Sequence, residues 1–304
     1  MEYIVTPAPH KYGRVSTNDQ YVYISIALVM CFMYGMIPYG YSGIIILLAC
    51  LGTCVLIELV ISSIKNKRIM LQDFSCLVSG LTLACIVPVN MPWYYAVVCA
   101  VLTVSVKYLF GGLGNNIFNP SALARSVLGC MAAGMSFDFF TDGSSQTVLQ
   151  TILNSGAESV SIKGAFLGEY AGAIGTTAII LILISAIVFM IFKVIRWENL
   201  LFSLVGFITI TVLTRGASYI LPMLLSGSFL FVTVFMLNDT VTSPYGFSAR
   251  CFYAAIFGIL AALFMTNNVL GESAVFLALL IANFLAPALD TVFSLTKKGV
   301  KNND

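Results

Sequence analysis

Residues 42–64 read SGIIILLACLGTCVLIELVISSI and contain a single charged side chain, Glu58. A helix needs roughly 20 mostly apolar residues to cross the hydrocarbon core of a bilayer. Inside lipid every backbone N–H and C=O must be satisfied within the chain, so only helices and closed barrels can span it. This run is continuously apolar rather than alternating, which reads as helix. Comparable runs fill the chain: roughly 21–38, 42–64, 74–88, 93–110 and 121–137 in a first half, then roughly 172–193, 199–214, 219–237, 249–266 and 273–292 in a second. Charged residues make up 9% of the chain and its mean hydropathy is +0.97, against about 25% charged residues in soluble domains. The reading is an all-α integral membrane protein with about ten transmembrane helices. Residues 1–20 are polar, contain two prolines and lack the apolar core of a cleavable signal.

Charge orients these spans. With a cytoplasmic N-terminal tail (1–20) and ten spans, only Lys163 and Arg215 of the 15 lysines and arginines fall outside, a strong positive-inside bias. Arg125 and Lys107 are counted near the inner side in this reading. The chain then divides into a first membrane half, 21–137, an extracytoplasmic loop, 138–171, and a second half with a cytoplasmic tail, 172–304. LVSG at 77–80 is echoed by LLSG at 224–227, five spans later. An odd number of spans per repeat inverts its orientation, so two five-helix inverted repeats are expected, with broken helices at the short or Gly/Pro-flanked third and fifth spans.

Two polar segments interrupt the apolar pattern. In KYLFGGLGNNIFNPSALARSVLG, 107–129, Gly111, Gly112 and Gly114 let backbone approach a ligand or a neighbouring helix closely. Asn115, Asn116 and Asn119 add amides, and Asn119-Pro120 suits the cap and first turn of a helix. The segment reads either as glycine packing at a re-entrant turn or as a polar pocket for a flavin or quinone head. NDTVTSPYGFSAR, 238–250, reads as a polar turn in which Arg250 is placed to pair with Asp239. Glu58 is expected to snorkel toward Lys65 and Lys67, or to serve an ion path or a subunit contact. Asp290 is expected at the interface near Lys297. The eight cysteines read mainly as small buried hydrophobes, with Cys50 and Cys54 sharing a helix face; His10 is the only histidine.

LFGGLGNNIFNPSALAR, NDTVTSPYG, VSGLTLACIVPVNMPWY and ESAVFLALLIANFLAPALD together resemble the signatures of one family. That family comprises the D subunit of Rnf electron-transfer complexes and its paralogue, the B subunit of the sodium-translocating NADH:quinone reductase. The resemblance runs from about residue 8 to 295, and a short N-terminus favours the Rnf member. It implies a subunit of the prokaryotic cytoplasmic membrane, working with other membrane, flavin-bearing and iron–sulfur subunits. Electron flow between ferredoxin and NAD would drive sodium or proton export. It also implies FMN joined through its phosphate to a threonine on the outer side by a separate flavin transferase, and riboflavin toward the cytoplasm. The family's acceptor motif matches Asp142-Gly143-Ser144-Ser145-Gln146-Thr147-Val148-Leu149, which places Thr147 at the acceptor position and Ser144 at the first hydroxyl. Here Gly-Ala is replaced by Ser145-Gln146, and the Asp-to-Thr spacing is one residue shorter. A neighbouring serine as acceptor, or no covalent flavin, remain alternatives. NSGAES, 154–159, is a decoy with Glu158 in the acceptor slot. Riboflavin is assigned to Gly111, Gly112, Asn116, Asn119 and Pro120. The competing functions are the B-type member of a quinone reductase and a non-redox transporter or channel on the same scaffold.

Overall fold

A computed structural model describes residues 17–64, 74–109, 115–133 and 146–301. Among these, helix dominates and the only β-contact is an isolated bridge between Thr147 and Ala171. The first half holds α1 (Thr17–Gly35), α2 (Tyr41–Ile64), α3 (Ser75–Ile86), α4 (Trp93–Leu109) and α5 (Pro120–Ala133). Two short helices follow, α6 (Val148–Ser155) and α7 (Ile162–Leu167), then α8 (Ile179–Ile191) and α9 (Trp197–Thr214). The second half closes with α10 (Ile220–Leu224), α11 (Ser228–Phe231, continued by a π-turn over Val232–Met236), α12 (Phe247–Thr266) and α13 (Ala274–Lys301).

Each of the ten apolar stretches contains helix, yet only four of these helices have the length and hydropathy to cross a bilayer unaided. A fifth span arises if the pair Ala217–Leu224 and Ser228–Met236, bent by 63°, is taken together. The break falls on LLSG, where Gly227 has φ +85°. LVSG lies inside the continuous α3 instead. The expected broken third span is a helix of 12 residues, about 18 Å at 1.5 Å per residue, which ends inside the bundle. The long loop also carries structure: Val148, Leu149 and Ile152 of α6 are buried.

Irregular backbone runs through the middle of the fold. The apolar pattern opens the sixth span at residue 172, yet residues 172–178 are not helical, and Gly172–Thr176 is buried. Buried non-helical backbone is tolerated at membrane depth only where neighbouring protein satisfies it. Here Gly175 N–H donates to Cys85 O at 2.8 Å, Thr176 N–H to Ala173 O at 3.0 Å, and the Tyr39 hydroxyl to Gly172 O at 3.2 Å. Glycines permit these approaches. A Cβ on Gly35 would lie 1.7 Å from Ile174 O, one on Gly227 1.9 Å from Thr176 O, and one on Gly175 2.4 Å from Cys85 Cβ.

Elsewhere the packing follows membrane rules, with small residues where helices touch. A Cβ on Gly258 in α12 would fall 2.1 Å from Ser203 O in α9. Phe207, Phe229 and Phe257 stack behind that contact at centroid distances of 4.0 and 5.6 Å. The outward faces of α2, α8 and α9 carry Leu48, Leu56, Ile187, Leu201 and Val205, all exposed, as a lipid-facing surface requires. The protein is a multi-pass helical membrane protein.

Two glycines separate crowding from backbone strain. A Cβ added to Gly216 (φ +102°) would meet nothing within 4 Å, whereas one added to Gly227 (φ +85°) would run into a carbonyl. Both alanine variants share the positive-φ cost, and Gly227→Ala is expected to lose about 1–3 kcal/mol more than Gly216→Ala. Paired denaturant titrations in detergent measure that difference; equal losses contradict the packing described.

Candidate functional site

The N-termini of α3 and α5 and the C-termini of α4 and the π-turn open onto one cleft. Its walls include Ser75, Ser79, Lys107, Asn116, Asn119, Pro120, Asn238, Asp239 and Thr240, and its cavity volume is about 80 Å³. The two polar segments noted in the sequence therefore form opposite walls of a single site.

Each wall is locally built. Asn119 caps α5 by accepting Ala122 N–H at Oδ1, 3.2 Å, and Pro120 occupies the first turn, where its missing N–H costs nothing. Ser121 Oγ donates to Ser79 O at 3.1 Å and pins α5 to α3. Asn116 Oδ1 is buried without a hydrogen-bond partner among the described residues. On the other wall Asn238 Oδ1 accepts Arg196 N–H at 3.1 Å and the Asn199 amide at 3.2 Å, while its own amide donates to Thr233 O at 3.0 Å. Asp239 accepts Val241 N–H at 3.2 Å and the Thr242 hydroxyl at 3.4 Å. Burial pushes its carboxyl above the usual carboxylate range, and those two bonds partly offset the rise.

Two expected pairings change. Glu58, expected to turn toward Lys65 and Lys67, which lie outside the described residues, pairs with Lys107: both its oxygens lie 3.3 Å from Lys107 Nζ, and Oε1 accepts the Tyr108 hydroxyl at 2.5 Å. Glu58 and Lys107 are 1% and 4% exposed; two long side chains at membrane depth find each other more cheaply than water. Arg250 pairs with Glu198 at 2.6 Å, not with Asp239, because Glu198 in the first turn of α9 faces it across the packed α9–α12 contact. Asp290 accepts the N–H groups of Tyr245 and Gly246 at 2.9 and 3.0 Å, capping the start of α12 from α13.

At the other end of α3 and α11 lies a buried polar cluster. The charge pattern puts Arg125 near the inner interface, but it is 1% exposed in the core. Its Nε donates to Ile86 O at 2.8 Å, Nη1 donates to Ser273 Oγ at 2.6 Å, and the guanidinium lies 5.5 Å from the Phe276 ring centroid. Glu272 stands in the field of Arg125 and beside the hydroxyls of Ser228 and Thr147. Thr147 is 1% exposed and forms a capping box on α6: its Oγ1 accepts Gln150 N–H at 3.1 Å, and the Gln150 side chain accepts Thr147 N–H at 3.1 Å.

The structure thus brings Asn116, Asn119 and Pro120 together in the cleft and places Thr147 in the distant cluster. Gly111, Gly112, Asp142 and Ser144 lie outside the described residues. Sequence reasoning missed Lys107 and Asn238 as cleft residues and gave Glu272 no role. The available signal was charge at membrane depth: Lys107 follows an apolar run, and Glu272 opens one. Among the described residues no group of three or more His, Cys, Asp or Glu is placed to hold a metal ion.

Comparison with known proteins adds the family context. A family model described as NQR2, RnfD, RnfE family matches residues 4–299. The D subunit of the ion-translocating oxidoreductase complex of Stutzerimonas stutzeri is 28% identical over 92% of this chain and 91% of its own. The D subunit of the proton-translocating ferredoxin:NAD(+) oxidoreductase complex of Clostridium ljungdahlii is 23% identical over 98% of this chain and 97% of its own. The B subunit of the Na(+)-translocating NADH-quinone reductase of Chromohalobacter salexigens is 30% identical over 71% of this chain, but that match covers 57% of the relative.

Removing one partner of a buried pair leaves an uncompensated charge, which costs about 3–5 kcal/mol. Lys107→Gln and Glu58→Gln are each expected to lower stability in detergent by about that amount, and the double variant by clearly less than their sum. A double-mutant cycle from unfolding midpoints checks this. Strict additivity contradicts the pairing.

Proposed function

Because this chain belongs to the NQR2, RnfD, RnfE family, we propose that it is the membrane flavoprotein component of a redox-driven ion-translocating oxidoreductase. It relays electrons between flavins while the assembled complex couples electron flow between ferredoxin and NAD to sodium or proton export. The observation that carries this reading is the convergence of both family-like segments on one cleft, with Asn116 and Asn119 facing Asn238 and Asp239. The D type is favoured over the quinone-reductase B type because the match runs over 92% and 98% of this chain for two D-type relatives but 71% for the B-type one.

The amides of the cleft suit one edge of a riboflavin ring, and with a cavity of about 80 Å³ the walls must part to admit the rest of the group. Among the described residues nothing donates to Asn116 Oδ1, and a buried acceptor left unpaired costs about 1–3 kcal/mol until an N–H or O–H donor arrives. The pyrimidine edge of an isoalloxazine offers N–H between two carbonyls, complementary to amide side chains. When bound, the flavin supplies reversible electron transfer. The chain's part is to orient the ring through Asn116 and Asn119, to close the far wall with Asn238 and to limit water.

Thr147 in its present arrangement does not fit a phosphoester, since its hydroxyl is buried and committed to the capping box. FMN attachment at Thr147, with Asp142 and Ser144 preceding it, therefore entails a second arrangement in which the start of α6 leaves Glu272 and meets the flavin transferase. Other subunits of the complex are the remaining partners.

The inverted-repeat architecture gains support from paired segments. Residues 115–124, NNIFNPSALA, lead into α5 as 267–276, NNVLGESAVF, lead into α13. YAVVCAVL (95–102) in α4 is matched by YAAIFGIL (253–260) in α12. The neighbours repeat as well: α2 packs on α4 and α4 on α5, as α9 packs on α12 and α12 on α13. Ten spans with both termini in the cytoplasm put the cleft inside and the Thr147 cluster outside.

Two measurements test the proposal. The complex purified from its membrane is expected to release riboflavin on acid extraction, and Asn116→Leu to lower its occupancy about tenfold or more. On a denaturing gel the wild-type chain is expected to fluoresce and Thr147→Val to be dark. No extractable flavin and a dark wild-type band together favour the non-redox transporter reading; fluorescence that survives Thr147→Val moves the attachment to another hydroxyl.

A further inference from the structure

We propose that Lys107 sets the charge preference of the cleft: its ammonium favours an occupant that carries more negative charge, with Glu58 held behind it as a fixed counter-charge. This rests on the cleft being a redox site, as read above.

The geometry makes the pair one-sided. Lys107 lies in the last turn of α4 and lines the cleft, whereas Glu58 on α2 is not part of its wall. Both Glu58 oxygens are 3.3 Å from the ammonium, and the Tyr108 hydroxyl anchors Oε1 at 2.5 Å. The carboxylate is thus tied to Tyr108 as well as to Lys107, and of the two charged partners it is Lys107 that lines the cleft. At short range the nearer charge dominates.

The rest of the wall does little to oppose that field. Asp239 is the acidic side chain among the described cleft residues, and its two oxygens already accept Val241 N–H and the Thr242 hydroxyl at 3.2 and 3.4 Å. The N-terminus of α3 has no side-chain cap, and Ser75 and Ser79 of its first turns lie on the wall. The α5 N-terminus enters at Asn119-Pro120. Helix N-termini carry partial positive charge and C-termini partial negative charge, so the starts of α3 and α5 offset the ends of α4 and the π-turn, and Lys107 is left as the full positive charge on the wall. A redox occupant gains negative charge on reduction, and this wall is arranged to hold the reduced form more tightly than the oxidised one.

The test is spectroelectrochemical titration of the non-covalent flavin in the intact complex, with riboflavin content measured in parallel. Lys107→Gln is expected to weaken the preference for the reduced form about tenfold, a downward shift of about 30 mV for a two-electron couple. Glu58→Gln exposes the ammonium and is expected to shift the potential the opposite way, while Lys107→Arg stays near wild type. Opposite signs from two halves of one ion pair are not produced by a general loss of packing. If Lys107→Gln fails to assemble, Glu58→Gln and the Lys107→Gln/Glu58→Gln double variant carry the test, the double falling below wild type because the nearer charge is gone. Bound riboflavin with an unmoved potential, or shifts of the same sign for both single variants, overturns the role of Lys107. Wild-type complex without riboflavin overturns the reading of the cleft itself.

Discussion

A helix that ends inside a membrane protein leaves carbonyls with no water to accept from, and the end of α3 is where this fold meets that demand. Leu83 O accepts Val87 N–H at 3.1 Å, Cys85 O accepts Gly175 N–H at 2.8 Å, and Ile86 O accepts Arg125 Nε at 2.8 Å. These donors come from three places: α3's own exit, the irregular segment before α8, and the second turn of α5. Arg125 also reaches Ser273 ahead of α13. Satisfying the final carbonyls of one short helix therefore fixes the two halves of the chain against each other. Losing the donors costs more than the bonds themselves, because buried acceptors would stand empty in a low dielectric.

The same economy explains why the polar sites lie where they do. Short helices beginning or ending within the bundle bring N–H dipoles and polar turns to membrane depth, where irregular backbone survives only against protein or a cavity. The cleft gathers the starts of α3 and α5, and the opposite cluster gathers the starts of α6, α11 and α13. A buried carboxylate in each region answers a buried cation: Glu58 with Lys107 at the first, Glu272 with Arg125 at the second. The π-turn at 232–236 serves the same purpose, since Asn238 takes Thr233 O as its acceptor and holds the second wall in place.

Thr147 illustrates what a motif can and cannot convey. Its position in the acceptor-like stretch was legible from residue order alone, as were Asn119 as a cap and Pro120 in the first turn, because capping depends on local sequence. That its hydroxyl is closed by Gln150 and faces Glu272 was not legible, since Glu272 comes from a distant segment. The two revised pairings fail for the same reason. Sequence offered Lys65, Lys67 and Asp239 as nearby partners of opposite charge, and packing offered Lys107 and Glu198, which are far along the chain and adjacent in space.

By itself the sequence determined the solvent, the helical class and the approximate position of every apolar segment, because the cost of exposing backbone to lipid leaves long apolar runs no other structure. It also marked the two polar segments that became walls of one cleft. Only the tertiary structure decided that α3 and α11 are too short to cross alone, that residues 172–178 thread the core as irregular backbone, and which charge meets which. Those outcomes depend on contacts between distant segments, where the close approach of glycine backbone and the burial of an ion pair are worth more than any preference the local sequence carries.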